Sequence, residues 1–522
     1  MTRENGTDRP RILIVHPEGN VFNNPNLYEI ANFLGERYQV DVLVPIRRYN
    51  KGCAFSSKCV QLIEYLPIFG DWRFMCTTEA INEFCAKYLH AEYQLVIGVD
   101  RDGLILAAVL SSNLGVMYGM ISYEIFFEDE TSSAFKGAER EASVDLSFVV
   151  VQDEVRGKHL VRENRIRIWV EVQYIPVAPA RSYPYRKSRH LRERLNIPDN
   201  RKILIYAGSV TGWAYIHELL AHPGALPEDW VLVLHDRYGD TRKQLKNLKV
   251  TTLSDNIYIS DISSPTNEDM HNLLHSADLG LALYGPNYLS MWTGKNLAFI
   301  GMGSGKINVY LQHGLPVVTT PSEVLTPLIQ SHGLGYTVGG VDELLPILQQ
   351  HVSSPEQNQR CVRFFEEHLS FNLYKKRLMD VVEKNVENPK RLLRFLKAGR
   401  LLQSVRESLA VEAEIPRWTI GDVFSCIDDH KRTGEKFIVW GENALGLTIQ
   451  ALMPENVLAF VEQTSGHAST EVVGGEVYSS RNLPNMTYDR IIIGALGHET
   501  EIEAHLVKEL GIPMEKIVRC PG

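Results

Sequence analysis

Short apolar runs recur along this chain, and each is followed by a stretch of helical spacing before the next run begins. Residues 12–15 (Ile-Leu-Ile-Val) open the pattern, 26–38 read as an amphipathic helix, and 40–44 as a second strand. Further strands are expected at 95–99, 116–121 and 146–151, with a helical stretch running through Leu110 after the first of these. Runs this apolar suit strands covered on both faces, which is what a parallel sheet with helical crossovers provides. The pattern therefore predicts a doubly wound α/β sheet, whose ligands sit beyond the carboxyl ends of its strands. His16, Glu18, Asp100 and Glu124 all fall there.

The pattern pauses at the proline-bearing stretch 174–179 and then restarts. Strands are predicted at 203–207, 231–235, 256–259, 279–283 and 316–319, and helices at 268–276 and 306–313. Residues 360–384 read as helical and amphipathic. Residues 389–406 carry Lys390, Arg391, Arg394, Lys397, Arg400 and Arg406, with leucines between them and no acid. Two readings fit such a basic amphipathic helix: peripheral contact with an anionic membrane surface, or packing along the protein with the cations in water. A third restart brings strands at 437–440, 457–461 and 490–493 and a helix at 499–510. The expected domains are 1–178, 179–385, a helical linker 386–420, and a small α/β unit 421–522, which suits a chain of 522 residues.

Composition narrows the function. With a net charge of −9, the chain lacks the basic surface of a nucleic-acid binder. The seven cysteines are dispersed without CxxC spacing, which predicts free thiols in a reducing compartment and suggests no zinc site. Residues 1–10 are polar and carry acids, unlike a signal peptide, and no apolar run approaches the roughly 20 residues of a membrane span. These features point to a cytoplasmic protein that at most rests on a membrane surface.

The stretch 301–318, Gly-Met-Gly-Ser-Gly-Lys-Ile-Asn-Val-Tyr-Leu-Gln-His-Gly-Leu-Pro-Val-Val, carries the most chemistry. A Gly/Ser loop opening onto a helix gathers free N–H groups at the positive end of the helix dipole, and Lys306 adds a full charge beside it. Such a place suits an anion, and a diphosphate is the natural guest.

This segment resembles glycosyltransferases of the GT-B fold, whose second domain carries a pattern like S-x-K-x-x-E-Y-x-x-x-G-x-P-V-V. Ser304, Lys306, Tyr310, Gly314, Pro316, Val317 and Val318 match it in order. Three further stretches are similar to the same domain: 206–209, a strand-to-glycine turn near the phosphates; 255–262, whose backbone reads the base; and 275–281, the step before the donor site. The resemblance covers residues 11–385 and implies two doubly wound, Rossmann-like domains with a cleft between them. It implies transfer of a sugar from a UDP- or GDP-linked donor to a glycan or lipid-linked acceptor, as in surface polysaccharide biosynthesis, without a metal or other cofactor. In that reading Gly19, Gly208, Ser209, Ile259, Gly303, Ser304, Gly305, Lys306 and Asn308 bind the donor. Lys306, Asp100 and Glu124 are the catalytic candidates, the two acids as a base or as contacts to the acceptor hydroxyl; the alternative for each acid is a solvated loop position.

Two departures from the family pattern stand out. An acidic pair carried by many retaining members would fall on Gly301 and Val309, and the Arg and Lys usual after the glycine turn are missing behind Ser209. Asn308 is then the candidate for the ribose contact. A sugar-nucleotide epimerase and a degenerate glycan- or partner-binding protein are the alternatives on the same fold. The last unit, with Gly441-x-Asn443-x-x-Gly446 after a strand, is similar to the small Rossmann-like domain at the front of sugar acyltransferases. That likeness implies nucleotide-sugar binding, a docking module or a structural role.

Overall fold

The computed structural model describes residues 9–47, 50–70, 78–89, 91–208, 210–222, 224, 226–236, 241–247, 250, 253–262, 267–288, 290–387, 420–463, 477–495 and 498–520. The described strands form three sheets, and every strand pairing within them is parallel. The first contains β1 (Arg11–Val15), β2 (Gln39–Pro45), β3 (Val60–Tyr65), β4 (Leu95–Val99), β5 (Met117–Ile121), β6 (Phe148–Val151) and β7 (Glu171–Tyr174) in the order β3-β2-β1-β4-β5-β6-β7. The second contains β8 (Lys202–Ala207), β9 (Trp230–His235), β10 (Ile257–Ser260), β11 (Leu279–Ala282), β12 (Val317–Thr319) and β13 (Gly335–Thr337) in the order β10-β9-β8-β11-β12-β13. The third contains β14 (Phe437–Trp440), β15 (Val457–Glu462), β16 (Val477–Ser479), β17 (Arg490–Ile493) and β18 (Ile517–Arg519) in the order β16-β15-β14-β17-β18. This is the doubly wound α/β architecture expected from the sequence, three times over.

In each sheet the winding reverses once: between β1 and β4, between β8 and β11, and between β14 and β17. Crossovers leave such a pair in opposite directions and open a crevice at the carboxyl ends. Those ends carry His16 and Asp100 in the first sheet, Gly208 and the residues after Ala282 in the second, and Gly441 and Gly494 in the third.

Two features differ from the expected domain plan. The helical stretch after Arg360 is broken: Pro355–Phe364 and a wide turn at Phe365–Leu369 pack with the second unit, whereas helix Lys375–Val386 returns to the first. Phe371, Leu378, Val381 and Val382 share one core with Ile12, Ile14 and Leu34, so the chain crosses back over the domain boundary at Ser370. The third unit, in turn, is seated on the first. Helix Ala444–Leu452 lies against the turn Pro67–Gly70, and the Thr448 hydroxyl accepts the Ile68 N–H at 2.9 Å. Both residues are fully buried there. The basic segment 389–406 lies outside the described residues.

Candidate functional site

Helix Gly305–Gln312 points its N-terminus toward the second sheet's crevice. Ser304 caps it, its hydroxyl accepting the Ile307 N–H at 3.2 Å and lying 2.5 Å from the Tyr284 hydroxyl, just beyond β11. Tyr310 pins the same helix to the sheet: its hydroxyl accepts the Ala207 N–H at 2.9 Å, and its ring leaves no room for a Cβ at Gly280. These anchors hold Lys306 over the crevice. Its Nζ sits 3.8 Å from the Tyr206 ring centroid, with Trp213 and Tyr284 at 5.9 and 5.7 Å. Aromatic faces attract a cation through the negative charge of the ring face.

Gly208 gives the lysine tip its room: a Cβ there would meet Lys306 Cε at 2.9 Å and Nζ at 3.0 Å and push the ammonium aside. Gly208, Gly303, Ser304, Gly305 and Lys306 are thus brought together at one switch point. Ser209 lies outside the described residues. Ile259 lies in β10, an edge strand of its sheet, so one side of its backbone has no strand partner among the described residues. Gly19, with φ +81°, makes the turn after β1, and its carbonyl accepts the Asn50 amide at 3.0 Å. His16 beside it is buried and bonded to Asn20 at 2.6 Å; burial pushes its pKa down to about 4, so it stays neutral.

Asn308 is not placed for a ribose. It is fully buried, and its amide donates at 3.0 Å to Val177 O in the interdomain linker and to Met302 O in the loop. Its task is to tie the helix to the linker. The place of the missing acid at Gly301 also has a physical explanation. Gly301 has φ +45°, and a Cβ there would lie 2.2 Å from Oδ2 of Asp153, a residue of the first unit. That carboxylate accepts the Met302 N–H at 2.9 Å and, through Oδ1, caps helix Glu154–Glu163 by accepting Arg156 N–H at 2.9 Å. A carboxylate therefore does stand against the loop, delivered from the opposite domain.

Asp100 is buried and Glu124 partly so. Asp100 begins helix Asp100–Leu114 with φ 56°, and its Oδ1 accepts the N–H groups of Tyr123 at 2.5 Å and Glu124 at 2.8 Å. Burial first, and the charge of Glu124 second, push its pKa up to about 8. Burial also raises the Glu124 carboxyl, against the pull of Arg156 and a hydrogen bond from Asn296. Asn296 belongs to the second unit, and its carbonyl oxygen accepts from Ile125 N–H at 3.0 Å and Arg156 at 3.2 Å. Arg156 is fully buried and further donates to Gln152 (2.6 Å), Tyr123 O (2.5 Å), Phe299 O (3.0 Å) and Asn296 O (3.4 Å). It is the hub that closes the two units on each other. Sequence reading missed Arg156, Asp153 and Asn296, whose partners in the opposite unit lie 140 residues away or more.

Outside the hub, Phe126 meets Trp292 edge-on at 4.7 Å, and Glu130 accepts the Lys295 N–H at 3.0 Å. The stretch from Asn296 to Lys306 therefore links the two sets of candidates, with Asn296 bonded to Glu124 at one end and Lys306 at the other.

The fold is GT-B. HepE from Anabaena, in complex with UDP and glucose, superposes with a TM-score of 0.56 at 14% identity over 72% of this chain and 100% of its own. Its complex with UDP-glucose gives 0.53 at 14%, over 72% and 99%. Sucrose-phosphate synthase from Thermosynechococcus elongatus gives 0.53 at 13%, also over 72% and 99%. A family model described as C2185-like, N-terminal, matches residues 433–518, within the third unit. No curated protein matches the sequence. In the third unit the fingerprint glycines serve close packing. A Cβ at Gly446 would meet Gly441 O at 2.1 Å, and Asn443 already accepts the first free N–H groups of the helix, from Leu445 and Gly446.

Proposed function

We propose that this GT-B chain transfers a sugar from a UDP- or GDP-linked donor to an acceptor hydroxyl in the cleft between its first two units. The observation that carries the reading is the convergence of Gly208, Ser304 and Lys306 at the switch point of the second sheet. A caged cation at a helix N-terminus stabilises the departing diphosphate as its charge builds. HepE, on the same fold, is described with UDP and with UDP-glucose, which supports this donor class. In this reading the reaction needs no metal or other cofactor.

Asp100 and Glu124 are the candidates for handling the acceptor proton, adjacent at the end of the first sheet with Asp100 buried and Glu124 partly exposed. A glycan or lipid-linked acceptor of surface polysaccharide synthesis fits the basic segment 389–406, which would hold the enzyme peripherally at the cytoplasmic face of a membrane. No described helix is long and apolar enough to cross one. The test is release of UDP or GDP from sugar conjugates, with and without lipid-linked acceptors. Acceptor-dependent release supports transfer; turnover of the donor without acceptor favours an epimerase or hydrolase.

One observation favours a second reading, a donor-binding protein without turnover. Across the boundary where an acceptor would enter, Asp153 is satisfied by the Met302 N–H, and Arg156 and Glu124 by Asn296. Nucleotide binding with no turnover of any donor would select it.

A further inference from the structure

At the far end of the donor helix, three histidines converge. His271 lies in helix Asn267–Leu274, His275 follows one turn later on the same face, and His313 ends helix Gly305–Gln312. One ring nitrogen from each lies within 4.8 Å of the others. Ring centroids are 3.7 Å apart for His271 and His275, and 5.5 and 5.7 Å from these to His313. Tyr183 stacks on His313 at 4.9 Å, and Tyr185 covers His275 at 5.0 Å.

His275 is fully buried and His313 is 2% exposed. Nε2 of His275 and Nδ1 of His313 are both enclosed and have no partner in good hydrogen-bond geometry. Buried polar atoms are rarely left so, and each such pair of lone atoms asks for an explanation. Burial, reinforced by the neighbouring imidazoles, pushes the pKa of His275 down to about 4 and that of His313 to about 3. The rings are therefore neutral, the form in which imidazole binds metals. The groups that shift these two rings are burial, one another, His271 and main-chain hydrogen bonds, with no carboxylate among them. A set of neutral nitrogens selects borderline transition metals over magnesium or calcium.

We propose that His271, His275 and His313 form a transition-metal site, zinc in the first instance, that clamps the end of the donor helix to helix Asn267–Leu274. Zinc–nitrogen bonds of about 2.0–2.1 Å place tetrahedral ligands about 3.3–3.4 Å apart, so the three nitrogens close in modestly around the ion. The half-buried His271 has the room to move. Nδ1 of His275 accepts the Arg186 N–H at 3.1 Å in this structure, which puts the ring proton on Nε2. Metal binding moves that proton to Nδ1, gives the Nε2 lone pair to the ion and frees the Arg186 amide. With His313 seven residues after Lys306 along the helix, the clamp sits about 10 Å from Lys306, so its role is to hold the donor loop rather than to touch the donor.

The test uses the tag-free full chain, stripped with a chelator and titrated calorimetrically with zinc alone, with hydrogen exchange at Arg186 followed in parallel. The proposal expects one zinc per chain at sub-micromolar affinity and faster exchange at Arg186 on loading. Affinity falls at least about a hundredfold in His313→Ala and in His271→Ala and is unchanged in the exposed-site control His217→Ala. Should His313→Ala fail to fold, the half-buried His271→Ala keeps the comparison. Absence of stoichiometric binding, or equal affinity in wild type and folded His271→Ala, overturns the site.

Discussion

Replacing Arg156 by Met keeps the length and the apolar stem of the side chain and removes its guanidinium. Arg156 is fully buried and donates five hydrogen bonds, three of them to Asn296 and Phe299 of the second unit. A hydrogen bond to a charged group contributes about 1.5–3 kcal/mol, so simple addition would overshoot; the contacts are coupled, and several acceptors re-pair or reach water. Loss of one partner from a buried charged network costs about 3–5 kcal/mol, and that is the expected loss here. It is a large part of the roughly 5–15 kcal/mol that holds a domain folded. Because Arg156 also pulls the Glu124 carboxyl down, its removal lets that carboxyl rise further. Urea unfolding read by circular dichroism, with limited proteolysis between the first two units, measures both effects. The account expects a lower midpoint and faster cleavage near the boundary, and Arg156→Lys should fall nearly as far, because one ammonium cannot reproduce the guanidinium fork. A loss under about 1 kcal/mol, with an unchanged cleavage pattern, would refute the assignment of Arg156 as the hub.

Three further outcomes are expected. Folded Asp100 keeps its proton up to about pH 8, while an unfolded aspartate loses it near about 3.9, so the folded state binds the proton more tightly and stability falls as pH rises between those values; Tm measured from about pH 5 to about pH 8 should drop in wild type and flatten in Asp100→Asn, whose oxygen can still accept from Tyr123 and Glu124. Gly301→Ala forces a side chain into left-handed backbone and onto Asp153, costing about 1–2 kcal/mol for the conformation and about 1 more for the disturbed cap, and a denaturation midpoint equal to wild type would count against it. Thr448→Val leaves the buried Ile68 N–H without its acceptor, a loss of about 1–3 kcal/mol expected to appear as easier proteolytic release of the third unit while the first two stay folded.

How legible these features were from sequence depends on where each residue sits. Central strands such as β4, β6, β9 and β14 are buried along their whole length, and their unbroken apolar runs were readable. The edge strands β3, β7, β13 and β16 were not: each has a face toward solvent, so runs such as Val-Gln-Leu-Ile-Glu-Tyr or Glu-Val-Gln-Tyr show no apolar block. The phosphate-type loop was legible because Ser304, Lys306, Tyr310 and Gly314 act within one local helix-turn-strand. Asn308 was misjudged, since its partners Val177 and Met302 come from a linker and a loop that only the fold brings to it. Asp153 and Arg156 gave no local signal at all, because an acid and a base near the start of a surface-like helix acquire their meaning from the second unit.

The central claim is that the second sheet's switch point holds a nucleoside diphosphate against Lys306. Calorimetric titration of the full chain with UDP and with GDP, repeated on Lys306→Ala, tests it most directly. The account predicts saturable binding of one nucleotide and a loss of tenfold or more in the variant, about 1.4 kcal/mol or greater. No binding of either nucleotide, or equal affinity in the two proteins, would contradict it.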